Sequence, residues 1–142
     1  MTPESPADLE TDPRFPSGKW AGFWTTTVPV VTRPKQEMVL TFAKGEIKGE
    51  GRDVIGKFLV RGYYSTADGK CRWTKRYVGR HDVYYQGFNE GKGIWGTWQI
   101  DQTRGGFHIW PEGMSDPTAP ALEAEVEADV PAEPVGEPVT VG

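Results

Sequence analysis

The chain predicts an all-β protein: a single antiparallel up-and-down β-barrel of about eight strands with disordered termini. Three observations lead there. Apolar residues recur in twos, the period of a strand with one buried face. Turn text rich in Gly, Asn and Asp interrupts the chain about every ten residues. The composition holds 6 Trp, 6 Phe, 5 Tyr, 18 Gly and 12 Pro, a mixture that favours strands and turns over helices.

Each strand can be read in order. "KWAGFWTTT" places Trp20, Gly22 and Trp24 on one face. In "QEMVLTFA", Met38, Leu40 and Phe42 alternate with Val39 and Thr41. "KGEIKGEG" follows, and then "GKFLVRGYYS", with Phe58, Val60, Gly62 and Tyr64 on one side. "CRWTKRYVGRHDVYYQG" supplies two strands around a turn at residues 78–80. "KGIWGTWQI" aims Ile94, Gly96, Trp98 and Ile100 inward, and "GGFHIW" ends the series with Phe107 and Ile109. "AKGE", "ADGK", "NEGKG" and "TRGG" between them are tight-turn text. Consecutive strands with one apolar face each must hide it. A closed barrel does so and removes both sheet edges, and a two-sheet sandwich is the alternative.

Length and charge set the organisation. At 142 residues the chain suits one domain. Residues 1–13 carry Glu4, Asp8, Glu10 and Asp12 with no basic residue, and 111–142 carry eight acids and again no Lys or Arg. All 16 basic residues fall in 14–110 beside eight acids, so that middle part has a net charge of +8. The expected division is a disordered acidic arm at 1–17, a barrel at 18–110, and a disordered Pro/Ala/Glu/Val-rich acidic tail at 111–142. One cysteine, Cys71, forms no internal disulfide and no thiolate cluster. The text shows no secretory leader and no apolar run of about 20 residues, so the expectation is a cytoplasmic protein without a membrane span.

"GKWAGFW" at Gly18–Trp24, opening about eight strands, resembles the G-x-W start of calycin barrels, with Gly18 and Trp20 as its fixed points. That group holds lipocalins, fatty-acid-binding proteins, avidins and nitrobindin-like haem barrels. The resemblance implies a barrel closed at one end by Trp20, with a ligand cavity at the other. It also opens haem held through a single His as a cofactor alternative, although His108 falls on the outward parity; otherwise no cofactor is expected.

The fifth and sixth strands carry the functional question. Counting in twos, Trp73, Lys75, Tyr77, His81, Val83 and Tyr85 share one face. A lysine aimed into a barrel needs partners, and the hydroxyls of Tyr64, Tyr77 and Tyr85 are candidates. Lys75 and His81 suit an anionic head group, while Trp73 and Trp98 suit an apolar body. The expected function is therefore a non-catalytic binding module with a cavity for a small, partly apolar, anionic ligand. The bland alternative has Lys75 reaching the rim and His81 solvated beside its turn.

The opposite face offers a second reading. Arg61, Arg72, Arg76 and Arg80 alternate outward beside Tyr63, Tyr84 and Trp95. Basic residues interleaved with aromatics can bind a protein or a polyanion such as single-stranded nucleic acid, though no aromatic RNA-binding signature accompanies them. Exposed aromatics of this kind also fit a protein partner or a homodimer. A third reading is an enzyme using Lys75 with Tyr77 or His81 as acid and base. No nucleophile elbow, phosphate loop or metal-ligand spacing supports catalysis. Asp53, in "GEGRDVIG", reads as a turn residue.

Overall fold

The computed structural model describes residues 6–119. Eight strands form a closed antiparallel barrel in chain order. They are β1 (Gly18–Trp24), β2 (Lys35–Ala43), β3 (Glu46–Asp53), β4 (Lys57–Tyr64), β5 (Lys70–Tyr77), β6 (Asp82–Asn89), β7 (Ile94–Ile100) and β8 (Thr103–Pro111). The ring closes where β1 pairs with β8, Trp20 opposite Pro111 and Trp24 opposite Phe107. Closure settles the choice between barrel and sandwich.

Alternation in twos does what the sequence predicts. β2, β4 and β5 bury every second residue, sending Met38, Leu40, Phe42, Phe58, Val60, Tyr64, Trp73 and Tyr77 inside. Glycines on the inward face let neighbouring strands approach closely. Gly62 faces Trp73 across the β4–β5 pair, and a Cβ there would fall 2.5 Å from the Trp73 Cα and Cβ. Trp73 stacks on Tyr85, with centroids 5.3 Å apart and planes 11° apart, while Phe107 meets both rings edge-on.

Up-and-down topology puts alternate connections at opposite ends. One end, with the β2–β3, β4–β5 and β6–β7 turns, is sealed. Residues 9–17 close it, in place of the free arm expected for 1–17. Phe15 is fully buried against Phe42 and Tyr64. Leu9 bridges Ala43, the Glu10 amide donates to the Phe42 carbonyl, and the Tyr64 hydroxyl donates to Glu10. Arg14 donates to the carbonyls of Asn89 and Thr66, and buried Asn89 donates back to the Arg14 carbonyl at 2.6 Å. Trp20 completes the seal, its ring 5.5 Å from Phe42 and its Nε1 donating to the Pro16 carbonyl.

Residues 111–119, expected to open the disordered acidic tail, are folded against the barrel. Pro111 belongs to β8, and 112–119 fold back over the outside of β1 and β2. The Glu112 amide donates to the Lys19 carbonyl, and Arg33 donates to Thr118 Oγ1 at 2.9 Å. Residues 120–142, most of the expected tail, lie outside the described residues, as do 1–5. No helix among the described residues is long and apolar enough to cross a membrane.

Candidate functional site at the open end of the barrel

The other end carries the β1–β2, β3–β4, β5–β6 and β7–β8 connections, and the polar interior lies just beneath them. Lys75 points inward from β5 and is 1% exposed. Its ammonium donates to Asp53 Oδ2 at 2.7 Å, to Gln36 Oε1 at 3.0 Å and to the Tyr85 hydroxyl at 3.3 Å. An ammonium has three protons, and each has a partner. The rings of Phe58 and Tyr77 lie 4.3 and 5.0 Å away and add cation–π attraction.

Asp53 is the hub. Its Oδ2 also accepts from the Tyr77 hydroxyl at 2.6 Å and from Trp24 Nε1 at 3.2 Å. Its Oδ1 accepts from the amide of Ile55 at 2.9 Å, which shapes the turn leaving β3. One carboxylate thus holds a strand turn and balances the buried cation. Burial pushes its pKa up, but Lys75 and Tyr77 together outweigh that and hold it below the ordinary 3.8. Burial lowers the Lys75 pKa to about 8, with Asp53 pulling the other way. Burial also raises Tyr77, reinforced by Asp53, and raises Tyr85.

Above this network lies a shallow aromatic bowl. Trp24, Tyr77, Tyr85 and Trp98 form its wall, and Ile55, His81 and Ile100 its rim. Its volume is about 40 Å³, little more than one water molecule's share of the liquid, against about 300–1,000 Å³ for typical ligand pockets. The polar edges of the wall are turned into the protein: Trp98 Nε1 donates to the Thr25 carbonyl at 2.8 Å and Trp24 Nε1 to Asp53.

The predicted site residues divide by depth. Lys75, Tyr77, Tyr85, Trp73, Trp98 and Tyr64 all face inward and are buried. Tyr77, Tyr85 and Trp98 meet at the bowl, whereas Trp73 lies mid-barrel and Tyr64 at the sealed end, bonded to Glu10. His81 is exposed at the rim, its ring 5.2 Å from Tyr77, so it does not point into a deep cavity. Lys75 offers no open ammonium to the bowl, which corrects the expectation that it meets a ligand's anionic group directly. Lys75 and Tyr77 are both buried and both bonded to Asp53. Asp53, Gln36, Trp24 and Phe58 are the partners the sequence reading missed.

The outer-face residues lie outside. Arg61, Arg72, Arg76, Arg80, Tyr63, Tyr84 and Trp95 are exposed. Tyr63 pairs with Arg72 across β4–β5, the guanidinium 5.6 Å from the ring centre. Arg76 is engaged by Asp82 through two bonds of 2.9 and 3.2 Å. Trp95 packs on Phe88, centroids 4.5 Å apart, away from the β4–β5 residues. His108 lies on the outside between Phe23 and Trp110, its Nε2 2.6 Å from the Lys92 carbonyl. With His81 at the rim, neither imidazole is placed to hold a haem deep inside the barrel. Among the described residues no group of three His, Cys, Asp or Glu side chains could hold a metal ion.

The fold defines a closed eight-stranded antiparallel barrel, an architecture compatible with calycin-like barrels. No protein-family model, no curated protein and no solved structure matches the chain.

Proposed function

We propose that the protein is a non-catalytic binding module that takes a small, partly apolar ligand at the open end of its barrel. The observation that carries this reading is the contrast between the two ends. Phe15, Trp20, Phe42 and Tyr64 seal one end, while the other ends in an aromatic bowl with partly exposed Trp24 in its wall and Ile55 and Ile100 at its rim. The calycin resemblance supports the same polarity. Because Lys75 is neutralised within the network, an anionic group on the ligand would meet the exposed rim cations Lys57, Arg80 and Arg104. The bowl as it stands is too small for a fatty acid, so a flat aromatic acid that displaces Ile55 and Ile100 fits the reading better.

Titration with 2-naphthoate tests it through the emission of Trp24 and Trp98. Saturable quenching in the wild type, lost in Val83→Trp where the added ring fills the bowl, supports the proposal. Absence of saturable quenching, or equal binding by a folded Val83→Trp protein, sinks it.

One specific contact favours a second reading, an interaction module working through the outer face. Arg72 over Tyr63 and the exposed ring of Tyr84 form a basic, aromatic surface on β4–β6. Retention on heparin that disappears in Arg61→Glu/Arg72→Glu, with naphthoate quenching unchanged, would separate it from the bowl.

A further inference from the structure

The open end differs from the sealed end in a way the barrel itself does not require. Val28, Val30 and Val31 in the β1–β2 loop are 79%, 61% and 78% exposed. Val54 in the β3–β4 turn is 78% exposed, and Val78 in the β5–β6 turn is 62% exposed. Among the described residues, the turns at the sealed end (residues 44–45, 65–69 and 90–93) expose no large apolar side chain. Their text is Lys-Gly, Ser-Thr-Ala-Asp-Gly and Glu-Gly-Lys-Gly.

The valines are presented by built loops. Thr26 and Thr32 exchange backbone hydrogen bonds of 3.1 Å, and Thr26 Oγ1 donates to the Val30 carbonyl at 3.0 Å. That small hairpin keeps Val28–Val31 away from the core. The Val54 turn is fixed by Asp53, whose Oδ1 accepts from the Ile55 amide. The Val78 turn is fixed by the Val78 amide donating to the Lys57 carbonyl at 3.0 Å.

Each apolar loop is flanked by exposed cations. Arg33 and Lys35 follow the valines of the first loop, Arg52 and Lys57 bracket Val54, and Arg80 follows Val78. The fourth connection is polar, with Asp101 and Gln102. Apolar tips on separate loops, backed by a basic fringe, match the two layers of an anionic membrane surface. Small side chains enter the interface while Lys and Arg meet headgroup phosphates and carboxylates. The exposed cations beside each of the three valine loops favour an anionic surface as the occupant.

We propose that the open end of the barrel docks on lipid bilayers that carry anionic lipid, through Val28, Val30, Val31, Val54 and Val78. The proposal stands on the loops alone and survives failure of the naphthoate titration. Should both hold, the bowl would open toward the interface, where partly apolar acids concentrate.

Vesicle co-sedimentation of the full chain is the test. Vesicles of phosphatidylcholine with about one-third phosphatidylserine should pull down the wild type, and phosphatidylcholine alone should do so roughly tenfold less well. Val30→Asp/Val31→Asp and, separately, Val54→Asp alter only exposed positions and should each reduce the bound fraction by roughly tenfold. Unchanged circular dichroism checks the fold of both variants. Failure of the wild type to sediment with the mixed vesicles overturns the proposal. So does equal sedimentation by the Asp variants, which would assign adsorption to another face. Valine-dependent self-association without vesicle binding overturns it in favour of a second copy of the chain.

Discussion

Lys75 Nζ lies 2.7 Å from Asp53 Oδ2, with the two side chains 1% and 0% exposed. A buried ion pair of this kind contributes less to stability than its distance suggests, because both charges have left water. Removing one partner is far more damaging, since the other charge is then stranded in the interior.

Lys75→Met leaves the Asp53 carboxylate buried with only neutral donors. Loss of one partner of a buried pair costs about 3–5 kcal/mol. Adding Asp53→Asn removes the stranded charge and keeps an oxygen for the Ile55 amide, so the double variant should be more stable than Lys75→Met alone. Urea unfolding of the three proteins measures this. If the double variant is the weaker one, the ammonium is not what balances the carboxylate.

The pH dependence of stability has a sign worked out from the buried groups. The folded pKa of Lys75 is about 8, against 10.5 unfolded. Between those values the unfolded chain binds the extra proton, so this group makes stability rise with pH by up to about 1.4 kcal/mol per unit. Burial raises Cys71 from 9.0 to about 12. Burial and the Glu10 hydrogen bond raise Tyr64 from 10.0 to about 12, and Tyr77 and Tyr85 are raised as well. Those groups contribute stability below their unfolded values and lose it as pH rises toward the folded ones. Stability should therefore climb above pH 8, peak near about pH 9 and fall beyond 10. On the acid side, the contribution of Asp53 is present above 3.8 and lost as pH falls toward its lower folded pKa. Urea midpoints across this range check the shape, and the rise above pH 8 should vanish in Lys75→Met.

Phe15→Ala empties the plug at the sealed end. A fully buried Phe reduced to Ala costs about 3–5 kcal/mol, and the loss should appear in a single cooperative transition. A thermal midpoint within a degree or two of the wild type would mean that residues 9–17 are not part of the cooperative unit.

Gly62→Ala places a methyl group against the Arg72 carbonyl oxygen and the Trp73 Cα and Cβ, so β4 and β5 must move apart. Overpacking of this kind costs about 1–3 kcal/mol. Because Trp73 stacks on Tyr85, the near-ultraviolet circular dichroism should change along with stability. An unchanged spectrum would show that the stack does not depend on the close approach of β4 and β5 at Gly62.

The barrel was legible because strand periodicity is a local signal repeated eight times. The site was legible in direction but not in depth. Lys75 and His81 have the same parity, yet only Lys75 has barrel wall around it, because His81 stands beside the turn at the open rim. Gln36 and Asp53 were also in phase with their strands' inward residues, two before Met38 and two after Gly51. Asp53 was assigned to its turn because short-range chemistry explained it, and that role hid its second, long-range partner. Phe15 gave no periodic signal at all, standing between Pro13 and Pro16 in polar text.

The β1–β8 seam has a consequence for biogenesis. β1 leaves the ribosome before the other seven strands of the barrel, and its partner β8 is the last of the eight to emerge. Until then β1 has one unsatisfied edge, and every newly made strand presents another. Folding must therefore wait for nearly the whole barrel to be synthesised, and the nascent polypeptide is open to intermolecular strand pairing in the meantime.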